Sequence, residues 1–325
     1  MIPLKQISQK LLFVVGKGGV GRTTVSASLA SYFAKQGEKV LVVQWSLKDS
    51  ISPLYSMSPC HHKETAVPGG FKVMNYSASD AIREYFVDHL KMKLIYAMVI
   101  ENRHVQRLIH AAPGVQELFF LGRLFWLVEL AQQEKGYHYD RVIVDSPATG
   151  HGISLFGIAP AVANLGMTGP LAAECERVTK LLMNKEKTGF FVVTLPEELP
   201  IEECFESIPK LTAQMQRPPL AVIVNQSNNA QFFPELSRAE HEEWFLNLKS
   251  SLTQQESKQE IDLILSMLNK RNLYENKLTQ WVNDFTAKTN QQLPIMSLPD
   301  VELLQKIESP LQIIEALSNY FSSIS

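Results

Sequence analysis

The chain has 325 residues, 45% of them hydrophobic and 20% charged, and a net charge of −2. That length supports a large core in one big domain or two, and the near-neutral balance excludes a global basic field for nucleic acid or anionic lipid. The polar opening MIPLKQISQK, the lack of a long apolar run and the dispersed Cys60, Cys175 and Cys204 predict no secretory signal, no membrane insertion and a reducing, cytoplasmic setting. Leu11–Val15 is a short apolar run of the kind a sheet covers on both faces. The glycine stretch GKGGVGRTT, Gly16–Thr24, follows, and Thr23–Lys35 reads as a helix ended by Gly37. Lys39–Gln44 is the next strand, which completes a βαβ unit and implies a parallel sheet. Phe71–Tyr76 reads as a further strand, and Ser79–Ala111 as mostly helical up to Pro113-Gly114. Leu118, Phe119, Gly122, Phe125 and Trp126 then recur at helical spacing. Tyr139–Asp145, Phe190–Thr194, Leu220–Asn225 and Leu293–Ser297 complete the expected strands. The stretch from Phe233 to about Lys288 is charged and helical.

The chemistry concentrates in Gly16–Thr24. Glycines there let successive N–H groups turn inward around phosphate oxygens, and the helix that follows adds its positive N-terminus. The Thr23 hydroxyl is the expected Mg²⁺ ligand. The loop departs from G-x-x-x-x-G-K-[ST] in one letter: Arg22 stands where lysine is usual, while a lysine, Lys17, appears near the loop's start. Arginine keeps the charge but presents a planar fork able to hold β- and γ-phosphate oxygens.

The pattern K-G-G-x-G-[KR]-[ST] resembles the deviant phosphate loop of a class of dimeric ATPases. That class contains the ArsA-type arsenite efflux, tail-anchored-protein targeting, partition and division-site ATPases. The stretch YDRVIVDSPATGH, Tyr139–His151, is similar to the switch of the ArsA and targeting branch. The resemblance implies a P-loop NTPase fold: an α/β, twisted, mostly parallel sheet flanked by helices. Residues 1–325 would form one domain, with an inserted helical subdomain from about 78–135 and 230–290. It implies ATP and Mg²⁺ as ligands, bound by Gly16, Lys17, Gly18, Gly19, Val20, Gly21, Arg22, Thr23 and Thr24. Lys17 would cross to the partner's ATP, and Asp145 would hold Mg²⁺ through a water. APGVQEL, TLPEELPIEE, VNQ and LPIMSLPDVELL resemble further family segments, which assigns Glu197 to nucleotide across the dimer, Asn225 to the adenine edge and Pro294 to the start of the loop closing over the base.

Three departures modify those expectations. The family's D-P-A-H after the second strand is replaced by Ser46-Leu47-Lys48-Asp49, so Ser46 occupies the water-positioning aspartate's register and Asp49 is the nearby alternative. Arg22 and Ser46 both bear on hydrolysis rather than binding. The cysteine cluster of arsenite pumps and the C-x-x-C zinc site of the eukaryotic targeting factors are missing, and Cys60-His61-His62 reads as a surface loop. An apolar client groove would draw on Tyr85–Ile100 and Ile261–Leu268, with ordinary core packing as the other reading. The uncharged Gly152–Met167 reads as a half-buried helix behind the switch. The sequence thus predicts an ATP-binding ATPase that forms a homodimer or a heterodimer with a related chain, acts on a protein client or partner, and binds no nucleic acid. The alternative is a catalytically weak regulatory half of a heterodimer with ATP as structural ligand. A basic amphipathic tail for membrane attachment is not found in Leu311–Ser325.

Overall fold

The structure, a computed structural model, describes residues 4–46, 48–84, 87, 114–131, 133, 136, 138–147, 155–158, 161, 170–230, 255–301 and 309–324. Its strands are β1 (Leu11–Gly16), β2 (Val40–Gln44), β3 (Thr65–Ala66), β4 (Lys72–Asn75), β5 (Arg141–Asp145), β6 (Thr188–Thr194), β7 (Ala221–Ser227) and β8 (Ile295–Pro299). They form one eight-stranded sheet in the order β3-β4-β2-β5-β1-β6-β7-β8. Every neighbouring pair is parallel except β3–β4. The two-residue β3 is too short to leave a hydrophobic period, which is why the sequence does not announce it.

The helices are α1 (Arg22–Lys35), α2 (Ala78–Glu84), α3 (Val115–Phe125), α4 (Pro170–Met183), α5 (Glu198–Met215), α6 (Gln255–Thr289) and α7 (Pro310–Ser323). Along β1, Leu11, Phe13 and Val15 enter one core, with Phe120, Leu124, Phe156 and Phe190, while Leu12 and Val14 enter the other, with Val25, Tyr32, Phe33, Leu317 and Phe321. This two-sided burial accounts for the unbroken apolar runs of the central strands. Phe13 and Phe156 meet edge to face at 4.8 Å. The expected α/β architecture is therefore the observed one.

Boundaries moved at several places. The fourth strand narrows to Lys72–Asn75, β6 starts at Thr188, β7 continues to Ser227, and the last strand runs Ile295–Pro299 instead of Leu293–Ser297. The Cys60-His61-His62 stretch is not the expected surface loop. Cys60 and His62 are buried, the His62 Nδ1 accepts the Ser77 N–H at 3.2 Å, and its Nε2 lies 3.4 Å from Glu84. Leu155–Ile158 is helical with Leu155 and Phe156 fully buried, as expected for that part of Gly152–Met167. The rest of that helix apart from residue 161, the Ala148–His151 part of the switch and the client-groove candidate Tyr85–Ile100 (save residue 87) lie outside the described residues. Among the described residues, no helix is long and apolar enough to cross a membrane.

Candidate nucleotide site

β1 lies between β5 and β6, so its carboxyl end opens into the crevice where chain connections leave in opposite directions, the usual ligand position of such sheets. Gly16 ends β1 against β6: a Cβ there would lie 2.4 Å from the Val193 carbonyl oxygen, so only glycine allows this approach. Gly19 and Gly21 hold φ of 90° and 89°, the left-handed turn that bends the loop back over its own amides. Cβ atoms on Gly18 and Gly19 would meet nothing within 4 Å, so the loop is open on that side at these two residues. Gly21 is the N-cap of α1 and provides no side-chain acceptor, which leaves the first-turn N–H groups for an anion.

Thr23 Oγ1 donates to Asp145 Oδ2 at 2.7 Å. Burial pushes the Asp145 carboxyl up to about 6, partly offset by the Thr23 hydrogen bond and the Arg22 charge. Arg22 Nη1 donates to the Ser146 carbonyl at 2.7 Å. Burial lowers the Arg22 pKa, opposed by the Asp145 charge, and the guanidinium remains ionised. The Ser146 Oγ is buried and has no hydrogen-bond partner among the described residues. A hydroxyl and a carboxylate oxygen side by side fit a hard divalent cation such as Mg²⁺ that draws its other ligands from phosphate and water.

Asn225, at the carboxyl end of β7, reaches across β6 and donates from Nδ2 to the Val20 carbonyl at 3.1 Å. It packs so closely on Gly21 that a Cβ there would lie 2.4 Å from Nδ2. Lys17 Nζ pairs with Glu203 Oε1 on α5 at 3.0 Å, with both side chains about one third exposed. Glu197 is exposed at the start of α5, beyond the carboxyl end of β6. Ser46 is exposed just past β2, and its hydroxyl donates to the Lys48 carbonyl. These groups share the sheet's carboxyl edge with the glycine loop.

Two expectations are corrected. Pro294 is at the opposite edge: its carbonyl accepts the Val222 N–H at 2.9 Å, at the amino end of β8. From Pro294 to Pro299 the chain advances about 16 Å at ~3.3 Å per residue, and Pro299, opposite Ser227, is the one at the loop's edge. Asp49 is not a spare water-positioning carboxylate. Its Oδ1 accepts from Gln44 Nε2 at 2.6 Å, Ile51 N at 2.9 Å and Ser52 N at 3.1 Å, and its Oδ2 from Cys60 N at 2.7 Å. Burial raises this carboxyl, but hydrogen bonds from Ser52, Gln44 and Cys60 outweigh it and hold it at about 2. Sequence reading missed Glu203 and the Ser146 carbonyl, because no local pattern marks a residue that meets the loop only across the fold.

Loop, helix terminus and paired Thr23–Asp145 define a nucleoside-triphosphate-binding protein of the phosphate-loop class. Residues 9–171 match the anion-transporting ATPase family, and the chain belongs to it. It is similar to ATPase BagA of Mycobacterium tuberculosis, with 34% identity over 243 residues, 72% of this chain and 69% of that protein. It is also similar to ATPase ASNA1 homolog 2 of Paramecium tetraurelia, with 30% identity over 172 residues, 50% of this chain and 48% of the relative. A third relative, ATPase ARSA2 of Chlamydomonas reinhardtii, is 27% identical over 229 residues, 66% of this chain and 58% of that protein.

Two stability predictions follow from the carboxylates. Asp49→Ala strands four buried donors and should destabilise the fold by about 3 kcal/mol, read as a lower urea midpoint. Asp145 behaves oppositely. Its folded pKa exceeds the unfolded value, so its ionised form costs stability above that range, about 3 kcal/mol at neutral pH, and the cost fades as pH falls toward about 4. Asp145→Asn should therefore raise the thermal midpoint at pH 8, with a margin that shrinks on acidification. An unchanged margin across that range would refute the buried charge as the cause.

Proposed function

We propose that this chain is an ATP-binding, Mg²⁺-dependent ATPase whose two protomers close around nucleotide and couple that closure to a protein client or partner. The glycine loop Gly16–Thr24, open at Gly18 and Gly19 and leading into an α1 N-terminus with no side-chain cap, is the observation that carries the reading. In this reading Thr23 and Asp145 hold Mg²⁺, the first directly and the second through a water. Arg22 forks onto the β- and γ-phosphates, and Asn225 exchanges its Val20 contact for the adenine edge. Lys17 leaves Glu203 to reach the ATP of an apposed protomer, where it neutralises charge developing in the transition state. Glu197 contacts nucleotide across the same interface. The partner is a second copy of this chain or a related family member. The cytoplasm is the proposed setting.

Hydrolysis in this reading is slow or depends on the partner. Ser46 offers a hydroxyl where a carboxylate would orient the attacking water, and the nearby Asp49 is sealed by its own donors. The same two observations favour the second reading, a regulatory half of a heterodimer in which ATP is a structural ligand.

Steady-state phosphate release by the purified chain separates the two. Turnover that Lys17→Ala abolishes supports the self-sufficient enzyme, and tight Mg-ATP binding with no turnover supports the regulatory subunit. Ser46→Asp should raise kcat by about tenfold to a hundredfold, a fraction of what a positioned general base contributes. A variant no faster than the parent would mean that Ser46 is not the limiting position.

A further inference from the structure

β7 does not end as a regular strand. Register with β8 shifts between Val224 and Ser227, and Gln226 takes a φ of 55°. A non-glycine residue in the left-handed region is held at a cost, and such strain persists where surrounding contacts over-determine it. The contacts here come from one stripe of α6. Glu275, 3% exposed, accepts from Ser227 Oγ at 3.0 Å and from the Asn228 N–H at 2.8 Å. Asn228 Nδ2 donates to the Leu268 carbonyl at 2.8 Å and to Asn272 Oδ1 at 3.0 Å. One strand over, Arg271 Nη1 binds Asp300 Oδ2 at 2.8 Å, just past the carboxyl end of β8. Positions 268, 271, 272 and 275 follow helical spacing, and the stripe continues as buried Leu278, Val282 and Phe285. The apolar half anchors α6 in the core, while the polar half grips two consecutive strand ends.

We infer that Glu275 is a positioning residue for base recognition: by fixing Ser227 and Asn228 beyond the kink, it aims Asn225 at the adenine. Arg271 and Asn272 brace the same edge. Strand alternation puts Asn225 on the face of Ala221 and Ile223, toward the phosphate loop, where its amide meets the Val20 carbonyl, and a carboxylate sealed under the two residues after the kink fixes the backbone that follows it. This inference rests on the proposed adenine role of Asn225, and it assigns to a helix distant in sequence the control of which base is accepted.

The test is equilibrium binding of Mg-ATP, Mg-GTP and inorganic tripolyphosphate to the full chain and its variants. Glu275→Leu should weaken Mg-ATP by about tenfold, an effect of about one buried charged hydrogen bond, and lower the ATP-to-GTP preference. Tripolyphosphate, which needs only the loop, should bind unchanged. Glu275→Gln retains an acceptor for the Asn228 N–H and a donor toward Ser227 Oγ, and should recover most of the ATP affinity. Where Glu275→Leu fails to fold, Asn228→Ala removes the bonds to Leu268 and Asn272 and carries the same expectation. ATP and tripolyphosphate affinities falling together would mean that Glu275 merely supports the fold, and an unchanged ATP-to-GTP ratio would overturn the positioning role. Asn225→Ala separates the two ideas. If it lowers the ratio and Glu275→Leu does not, base reading stands and the inference fails. A parent chain that shows no base preference rejects both.

Discussion

The hydrogen bond from Thr23 to Asp145 exists because β1 and β5 are parallel neighbours with Val14 opposite Asp145. That register brings the end of β5 level with the glycine loop, and the helix leaving the loop then starts beside the carboxylate. A shift of one residue would turn Asp145 to the other face of the sheet. The register is held by the two cores, since each apolar residue of β1 and β5 is committed to one face. Packing far from the crevice thereby sets the geometry within it.

The crevice is costly to the fold. Asp145 is nearly buried and ionises only against a desolvation penalty, and Ser146 keeps a hydroxyl without a described partner. Asp49, a few residues beyond β2, shows the contrasting case of a carboxylate saturated by donors and held ionised. The two acids differ in what surrounds them. One is closed by its own chain and maintains a loop, and the other is left with capacity for a cation or a water.

The polar groups of the site are also mutually engaged. Lys17 rests on Glu203, Arg22 on the Ser146 carbonyl, Thr23 on Asp145 and Asn225 on the Val20 carbonyl. Ligand binding would exchange partners rather than satisfy bare charges, so affinity depends on the difference between two sets of contacts. Arg22 connects the loop directly to the backbone following β5.

The sequence by itself determined the sheet class, the loop, its helix and the acid at the end of β5, because each is written in consecutive residues with a strict period or spacing. Strand ends drifted by one or two residues where the hydrophobic pattern fades, and Pro294, assigned by resemblance to the loop over the base, lies at the amino end of β8 while Pro299 takes the carboxyl edge. Only the tertiary structure decided the rest. Asp49 reads as a free acid until its four donors converge on it, and Cys60 and His62 read as surface until packing buries them. Glu203 and Glu275 join the site from residues far along the chain, through helices packed against the sheet. Local patterns encode periodicity and turn chemistry, whereas a contact across the fold depends on how whole elements stack, a relation that no short stretch of residues contains.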